Sequence, residues 1–212
     1  MEVAGGRPLL AWSLAGAEDA GSVTEIIIVA GDNGRALIEQ VVDGGAWSKP
    51  IRVVVGGARR QDSVAAGVLA AAEDSDVILV HDGARPLAPA SLFDECATAA
   101  MSHGAAIAAI PVSDTLKRVD DGRISETVSR SSLWAAQTPQ GFRRSTIVPL
   151  VRWATSSDTE FTDEASLLEA RGTEVHVVQG SRLNLKVTVR EDLAMVDALL
   201  RLRAAKEPGV TS

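Results

Sequence analysis

The 212-residue chain has one cysteine, three histidines, no tyrosine and only 3% aromatic residues. A lone Cys96 cannot form an internal disulfide, and its place in an apolar-periodic stretch marks a buried structural thiol rather than a nucleophile. His103 stands near a helix end and His176 inside the strand-like run Glu174-Val175-His176-Val177-Val178, and both read as structural. Such scarcity of imidazole and thiol argues against a triad hydrolase or a Cys/His zinc enzyme. The chain also lacks a Walker GxxxxGK[ST] loop, a GxGxxG turn and a GxSxG elbow. The pattern fits a reaction whose nucleophile needs no general base.

No apolar run approaches the ~18–20 residues that a bilayer requires. Met1-Glu2-Val3-Ala4-Gly5-Gly6 lacks the basic start and apolar stretch of a secretory signal. The expectation is a cytoplasmic protein with no membrane partner. Positive charge is in deficit, with 21 Lys and Arg against 28 Asp and Glu for a net charge of −7. That balance argues against a general nucleic-acid binder, so an anionic ligand would need a local cationic pocket.

With 46% hydrophobic residues the chain can bury a sizeable core as one globular domain. Ile26-Ile27-Ile28-Val29, Ile51-Arg52-Val53-Val54-Val55, Val77-Ile78-Leu79-Val80 and the run from Ala105 to Val112 read as strands. They are continuously apolar, as a parallel sheet covered on both faces requires. Helices are expected from Pro8 to Asp19, Gly34 to Val42, Asp62 to Glu73, Ala90 to Met101, Ser145 to Thr155 and Arg190 to Leu202, with a frayed tail from Ala205 to Ser212. The predicted fold is α/β, a doubly wound, mostly parallel sheet. Thr115-Leu116-Lys117-Arg118-Val119 and Ile124-Ser125-Glu126-Thr127-Val128 flank Asp120-Asp121-Gly122, which is hairpin turn chemistry. A two-stranded ribbon so poor in large apolar residues is marginal alone in water, so a partner subunit is the economical cover. The first helix begins almost at once, without the strand and βα turn that normally open such a domain and bind phosphate at a helix N-terminus.

Open α/β sheets bind ligands beyond the carboxyl ends of their strands. After Val55 comes Gly56-Gly57-Ala58-Arg59-Arg60-Gln61-Asp62-Ser63, which reads either as a plain turn with solvated arginines or as a loop that lets backbone, a cation and a hydroxyl approach a ligand. After Val80 comes His81-Asp82-Gly83-Ala84-Arg85-Pro86. There the Asp either caps the turn or holds a ribose hydroxyl or metal-bound phosphate, and the Arg suits a phosphate.

These two segments, followed in order by Asp114-Thr115-Leu116-Lys117-Arg118, Gln137-Thr138-Pro139-Gln140-Gly141-Phe142, Thr162-Asp163-Glu164-Ala165-Ser166 and Asn184-Leu185-Lys186-Val187-Thr188, closely resemble the 2-C-methyl-D-erythritol 4-phosphate cytidylyltransferase family. The resemblance runs from Gly6 to Asp192. It implies a Rossmann-like nucleotidyltransferase fold. It also implies a magnesium-dependent homodimer of non-mevalonate isoprenoid biosynthesis, joining CTP and methylerythritol phosphate into 4-diphosphocytidyl-2-C-methyl-D-erythritol with release of pyrophosphate. By resemblance Gly57, Arg60 and Ser63 belong to the nucleotide site with Asp82 and Gly83, and Asp82 also lies near the acceptor alcohol. Arg130 and Lys186 match the cations that position the methylerythritol phosphate. Arg85, Thr115, Thr138 and Thr162 match its polar contacts. The arm of residues 113–133 would reach into the neighbouring subunit. The metal ligands are not given by the sequence.

The chain departs from this pattern at its start. Family members open with a strand and a Gly-rich loop supplying an Arg and a Lys, and neither is among the 212 residues. The expectation is therefore a single nucleotidyltransferase domain over 1–212 that is N-terminally incomplete. Losing one charge-stabilising group commonly costs ~10²–10³ in rate, so the chain as written would turn over negligibly. Two alternatives stand beside this reading: a ribitol 5-phosphate cytidylyltransferase, and an inactive dimerising paralogue.

Overall fold

Apolar runs become strands here where helices cover them. The computed structural model describes residues 2–156, 161 and 163–206. The chain opens with a short hairpin of β1 (Val3–Ala4) and β2 (Arg7–Pro8), turned by Gly5 and Gly6 at positive φ. Then follow α1 (Leu9–Asp19), β3 (Ile26–Ala30), α2 (Arg35–Asp43), β4 (Ile51–Val55), α3 (Arg60–Ala70), β5 (Val77–Val80), α4 (Ala90–His103) and β6 (Ala105–Pro111). The second half comprises β7 (Leu116–Asp120), β8 (Arg123–Val128), β9 (Trp134–Arg143), α5 (Arg144–Thr155), α6 (Glu164–Glu169), β10 (His176–Gln179) and α7 (Arg190–Lys206). The predicted helices and strands are present with ends moved by a few residues. Of the tail expected to fray, Ala205 and Lys206 continue α7, and 207–212 lie outside the described residues.

The α/β class holds, but the sheet is mixed. β10 pairs parallel with β6, whereas β9 runs antiparallel to both β6 and β5, in the order β10-β6-β9-β5. The reason is connectivity. The chain leaves β6, makes the β7/β8 hairpin and returns directly beside β6, with Trp134 opposite Pro111, instead of crossing over through a helix. The sequence reading did not find β9, because Gln137, Pro139, Gln140 and Gly141 interrupt any apolar pattern. It also did not find α6, which is only one and a half turns long. The main core gathers Phe142, Ile147, Val151 and Leu168 between α3, α5, α6 and this sheet. Cys96 is fully buried on the inner face of α4, its thiol pushed up to about 12 by desolvation, in keeping with a structural role. His103 and His176 stack with ring centroids 3.7 Å apart.

The β3/β4 pair stands apart from the four-stranded sheet. β3 and β5 face each other across a cavity of about 920 Å³ roofed in part by α1. The two strands start at the same end, because the Glu25 carboxylate accepts the N–H of Ala72 at 2.6 Å. α1 runs the opposite way. Near its start Ser13 donates to the carbonyl of Gly83 beyond the carboxyl end of β5, at 2.9 Å. At its far end, Ala17 and Ala20 receive the Lys49 ammonium from just before β4. The facing edges of β3 and β5 carry backbone groups with no ladder partner.

Amide exchange reads this directly. The alternate amides of β3 that face the cavity should exchange faster than those of β6, which is paired on both sides. Equal protection in residue-resolved hydrogen exchange would mean that something covers the β3 edge.

Candidate nucleotide site

The loop after β4 is shaped by its glycines. Gly56 donates to the carbonyl of Ala30 at 2.8 Å and so extends the β3/β4 ladder by one bond. A Cβ on Gly56 would lie 2.7 Å from Ser63 Oγ, and one on Gly57 only 2.3 Å from Asp62 Cβ, so side chains are excluded at both. Gly57 N–H donates to Ser63 Oγ at 3.1 Å, which folds the loop over the first turn of α3. Of the two arginines, Arg59 is turned away, its guanidinium on the Asp62 carboxylate at 2.7 Å and on the carbonyl of Thr155 at 3.1 Å. Arg60 is the one beside Ser63 on the wall of the cleft.

The tip of β5 carries the second cluster. Opposite the single residue Ala108 of β6, three residues of β9, Gln137, Thr138 and Pro139, bulge from the ladder. This bulge brings Thr138 Oγ1 to accept the N–H of Asp82 at 2.9 Å. Asn184, fully buried, holds the bulge in place by donating to the carbonyl of Thr138 at 2.9 Å, while its own carbonyl accepts from Arg85 Nη1 at 2.9 Å. Val187 N–H to the Ala84 carbonyl, 2.8 Å, then lays residues 184–188 alongside residues 82–86. Lys186 Nζ thereby reaches the Asp82 carboxylate at 3.1 Å, and Arg85 Nε reaches it at 3.3 Å.

Charge follows from this packing. Burial opposes ionisation of Asp82 most strongly, yet Lys186 and Arg85 together outweigh it and hold the carboxyl below its ordinary value. Arg60 feels burial against it as well, and the carboxylates of Glu164, Asp82 and Asp163 raise its pKa all the same. Burial pushes His81 down to about 4, so its imidazole is neutral at physiological pH. Its Nε2 faces the carbonyl of Arg85 at 3.3 Å and therefore carries the proton. Nδ1 is then the acceptor for the Thr138 hydroxyl at 3.0 Å. One hydroxyl thus links His81, Asp82 and the β9 bulge.

The structure brings Arg60 and Ser63 to one wall of the cleft, with Gly57 bonded to Ser63 behind them, and gathers Asp82, Gly83, Arg85, Thr138 and Lys186 at its end. It does not bring Thr115 or Arg130 to this cluster. Both are exposed on the hairpin, where Arg130 bonds the carbonyl of Ser113. Thr162 lies outside the described residues. Sequence reasoning quoted Asn184, Glu164 and His81 inside motifs but gave them no site role. Their polarity within short apolar-flanked motifs was the available signal.

The family model for 2-C-methyl-D-erythritol 4-phosphate cytidylyltransferase matches residues 1–202. The chain belongs to that family. A protein of that name from Synechococcus elongatus is 43% identical over 199 residues, covering 93% of this chain and 86% of the relative. One from Gloeobacter violaceus is 39% identical over 205 residues, covering 96% and 88%. Among solved structures, the 4-diphosphocytidyl-2C-methyl-D-erythritol synthase of Anaerococcus prevotii superposes with a TM-score of 0.85 at 30% identity, covering 94% of this chain and 88% of that one. The 2-C-methyl-D-erythritol 4-phosphate cytidylyltransferase of Thermus thermophilus gives 0.79 at 33%, covering 94% and 92%. In this cytidylyltransferase-family chain, the Rossmann-like expectation agrees with the solved structures.

His81 makes the fold pH-sensitive in a defined window. Above about pH 6.5 neither the folded nor the unfolded chain protonates it, and between about 6.5 and 4 only the unfolded chain does. Stability therefore falls as pH drops through that window, by on the order of 3 kcal/mol, and levels off below it as far as His81 is concerned. Asp82, held below 3.8, adds its own loss only at lower pH. Urea unfolding from pH 7 to 4 should show the loss, and His81→Gln should flatten it. An unchanged slope in the variant would remove His81 as its source.

Proposed function

We propose that the protein joins CTP and 2-C-methyl-D-erythritol 4-phosphate, releasing pyrophosphate, and that the cleft beside Asp82 is where it does so. The observation that carries this reading is the convergence of Arg85 and Lys186 on one carboxylate at the end of β5, with Arg60 close enough to feel its charge, within a chain of this family. An oxygen of the methylerythritol phosphate attacks the α-phosphorus of CTP, and the bond to the β,γ-pyrophosphate breaks. A phosphate monoester has its second pKa near ~6, so the nucleophile is already anionic and no base is needed. Repulsion between the two anions is the obstacle, and fixed cations and alignment reduce it.

Residue roles follow from the geometry and the family pattern. Arg60, with Gly57 and Ser63 at the N-terminus of α3, meets the triphosphate, and Asp82 with Gly83 meets the ribose. Lys186, with Arg130, positions the acceptor phosphate. A bound phosphate would draw the Lys186 ammonium from Asp82. The Thr138 hydroxyl spends its proton on His81 and one lone pair on Asp82 N–H, so it can only accept, which suits a polyol hydroxyl and not a phosphate oxygen. Arg85, Thr115 and Thr162 complete the polar contacts to the acceptor. Each relative named above carries methylerythritol in its name, which supports that acceptor over ribitol 5-phosphate.

Magnesium binds one or two carboxylates and fills its other positions with phosphate oxygens and water. The described residues contain no group of three or more His, Cys, Asp or Glu that could cage it. The single Asp82 carboxylate, 22% exposed at the end of the cleft, fits the role of protein ligand to a magnesium carried by the nucleotide. When bound, the ion would neutralise charge on the triphosphate.

In the working enzyme a further strand occupies the cavity between β3 and β5. The parallel start of these two strands and the reverse run of α1 support this, because a strand laid between them would end where α1 begins. By the family pattern, the loop after that strand supplies the Arg and Lys that this site lacks. The chain carrying such a strand and loop should release pyrophosphate from CTP only when methylerythritol phosphate is added, and ribitol 5-phosphate should replace it poorly. No release with either acceptor would overturn the reading.

The second subunit is the other part of the proposal. Among the described residues β7 and β8 pair only with each other, turned by Asp121 and Gly122 at positive φ, and leave Val119 55% and Ile124 65% exposed. A homodimer in which this arm carries Thr115 and Arg130 into the neighbouring cleft covers the apolar residues and completes the site. Light scattering at micromolar concentration should return twice 22.1 kDa. A monomer would contradict it.

A further inference from the structure

Arg60 sits where a cation is least at home. It is the first residue of α3, and the partial positive charge of a helix N-terminus disfavours a guanidinium there. The counter-charge is Glu164, which no motif role explains. Its carboxylate is only 4% exposed and meets Arg60 through both oxygens, Nη1 to Oε1 at 2.7 Å and Nη2 to Oε2 at 2.9 Å. Glu164 is itself well anchored. Asp163 caps α6 by accepting the N–H of Ser166 at 2.9 Å, and the buried Gln140 of β9 donates to the same Asp163 at 3.1 Å. Behind it, Ala165, Leu167 and Leu168 fix α6 into the main core.

This pairing uses the tip of the guanidinium and leaves its side. A guanidinium has five N–H donors, and Glu164 takes one from each terminal nitrogen. Among the described residues no other acceptor meets Arg60, whose side chain is 43% exposed toward the cleft. The remaining Nε–H and terminal N–H form a second edge able to grip two phosphate oxygens at once. We infer that Glu164 is a positioning residue, holding Arg60 by one edge so that the other is presented, already ordered, to the triphosphate of the nucleotide. The inference rests on the cytidylyltransferase reading, because it assumes that a nucleoside triphosphate enters this cleft.

Calorimetric titration of CTP into the chain carrying the further strand and loop, and into its Glu164→Gln, Arg60→Ala and double variants, tests it. Glu164→Gln keeps the volume and one acceptor, so the fold should survive, which circular dichroism checks. It should weaken CTP binding roughly 10-fold, leave methylerythritol phosphate binding unchanged, and have no further effect once Arg60 is Ala. A loss of CTP affinity that persists in the Arg60→Ala background would show that Glu164 acts through the fold, and would overturn the inference. A second readout needs no ligand: the Arg60 Nε–H signal in NMR relaxation should be rigid in the wild type and mobile in Glu164→Gln. If Arg60 stays equally rigid, Glu164 does not hold it. Absence of any CTP binding by the wild type, with Arg60 rigid only when Glu164 is present, would instead sink the nucleotide reading and leave the positioning contact standing.

Discussion

Asp82 is the charge around which the site is assembled. Its carboxylate ties Arg85 from its own loop to Lys186 from the loop after β10, and its backbone N–H is held by Thr138 from β9. Three segments far apart in sequence thus meet at one residue. Removing that carboxylate would leave two partly buried cations facing each other without compensation. Such a pairing is weak evidence for stability, and here its evident effect is to fix which loops lie together.

The same arrangement would let a protein of net charge −7 receive a polyanion. It does not carry a broadly positive face. Each cation in the cleft is already matched, Arg60 by Glu164 and both Arg85 and Lys186 by Asp82, so the groups are ordered before a ligand arrives. Donors fixed in advance need no reorganisation as charge moves in the transition state. The neutral His81 contributes by shape and tautomer instead of charge, orienting the Thr138 hydroxyl.

The division of the sheet belongs to the same argument. β5 delivers Asp82 and β4 delivers the Gly56-Gly57 turn, yet β3 and β5 are separated by the cavity under α1. The two walls of the cleft are therefore joined mainly through α3, α5 and α6, and the Arg60–Glu164 pair is one of the polar links across that join. A strand in the cavity would turn a bridged structure into a continuous one.

Local information was legible wherever a residue's role depends on its neighbours in sequence. Continuous apolar runs gave β3, β4, β5 and β6, and Asp120-Asp121-Gly122 gave the hairpin turn, because strand burial and turn geometry act within a few residues. Gly56 and Gly57 could be read as a close-approach loop for the same reason. The antiparallel β9, the short α6 and the pairings of Asn184 and Glu164 were not legible. A polar residue has no preferred place until a distant partner is beside it. Asn184 is buried against the bulge of β9 opposite Ala108, where the carbonyl of Thr138 accepts from it, and Glu164 is buried where Arg60, 104 residues earlier, pairs with it. The sequence by itself determined β3 to β6, the longer helices, the hairpin turn and the order of the motifs. Tertiary structure decided which charges meet, since a buried charge is stable only where the fold places its partner.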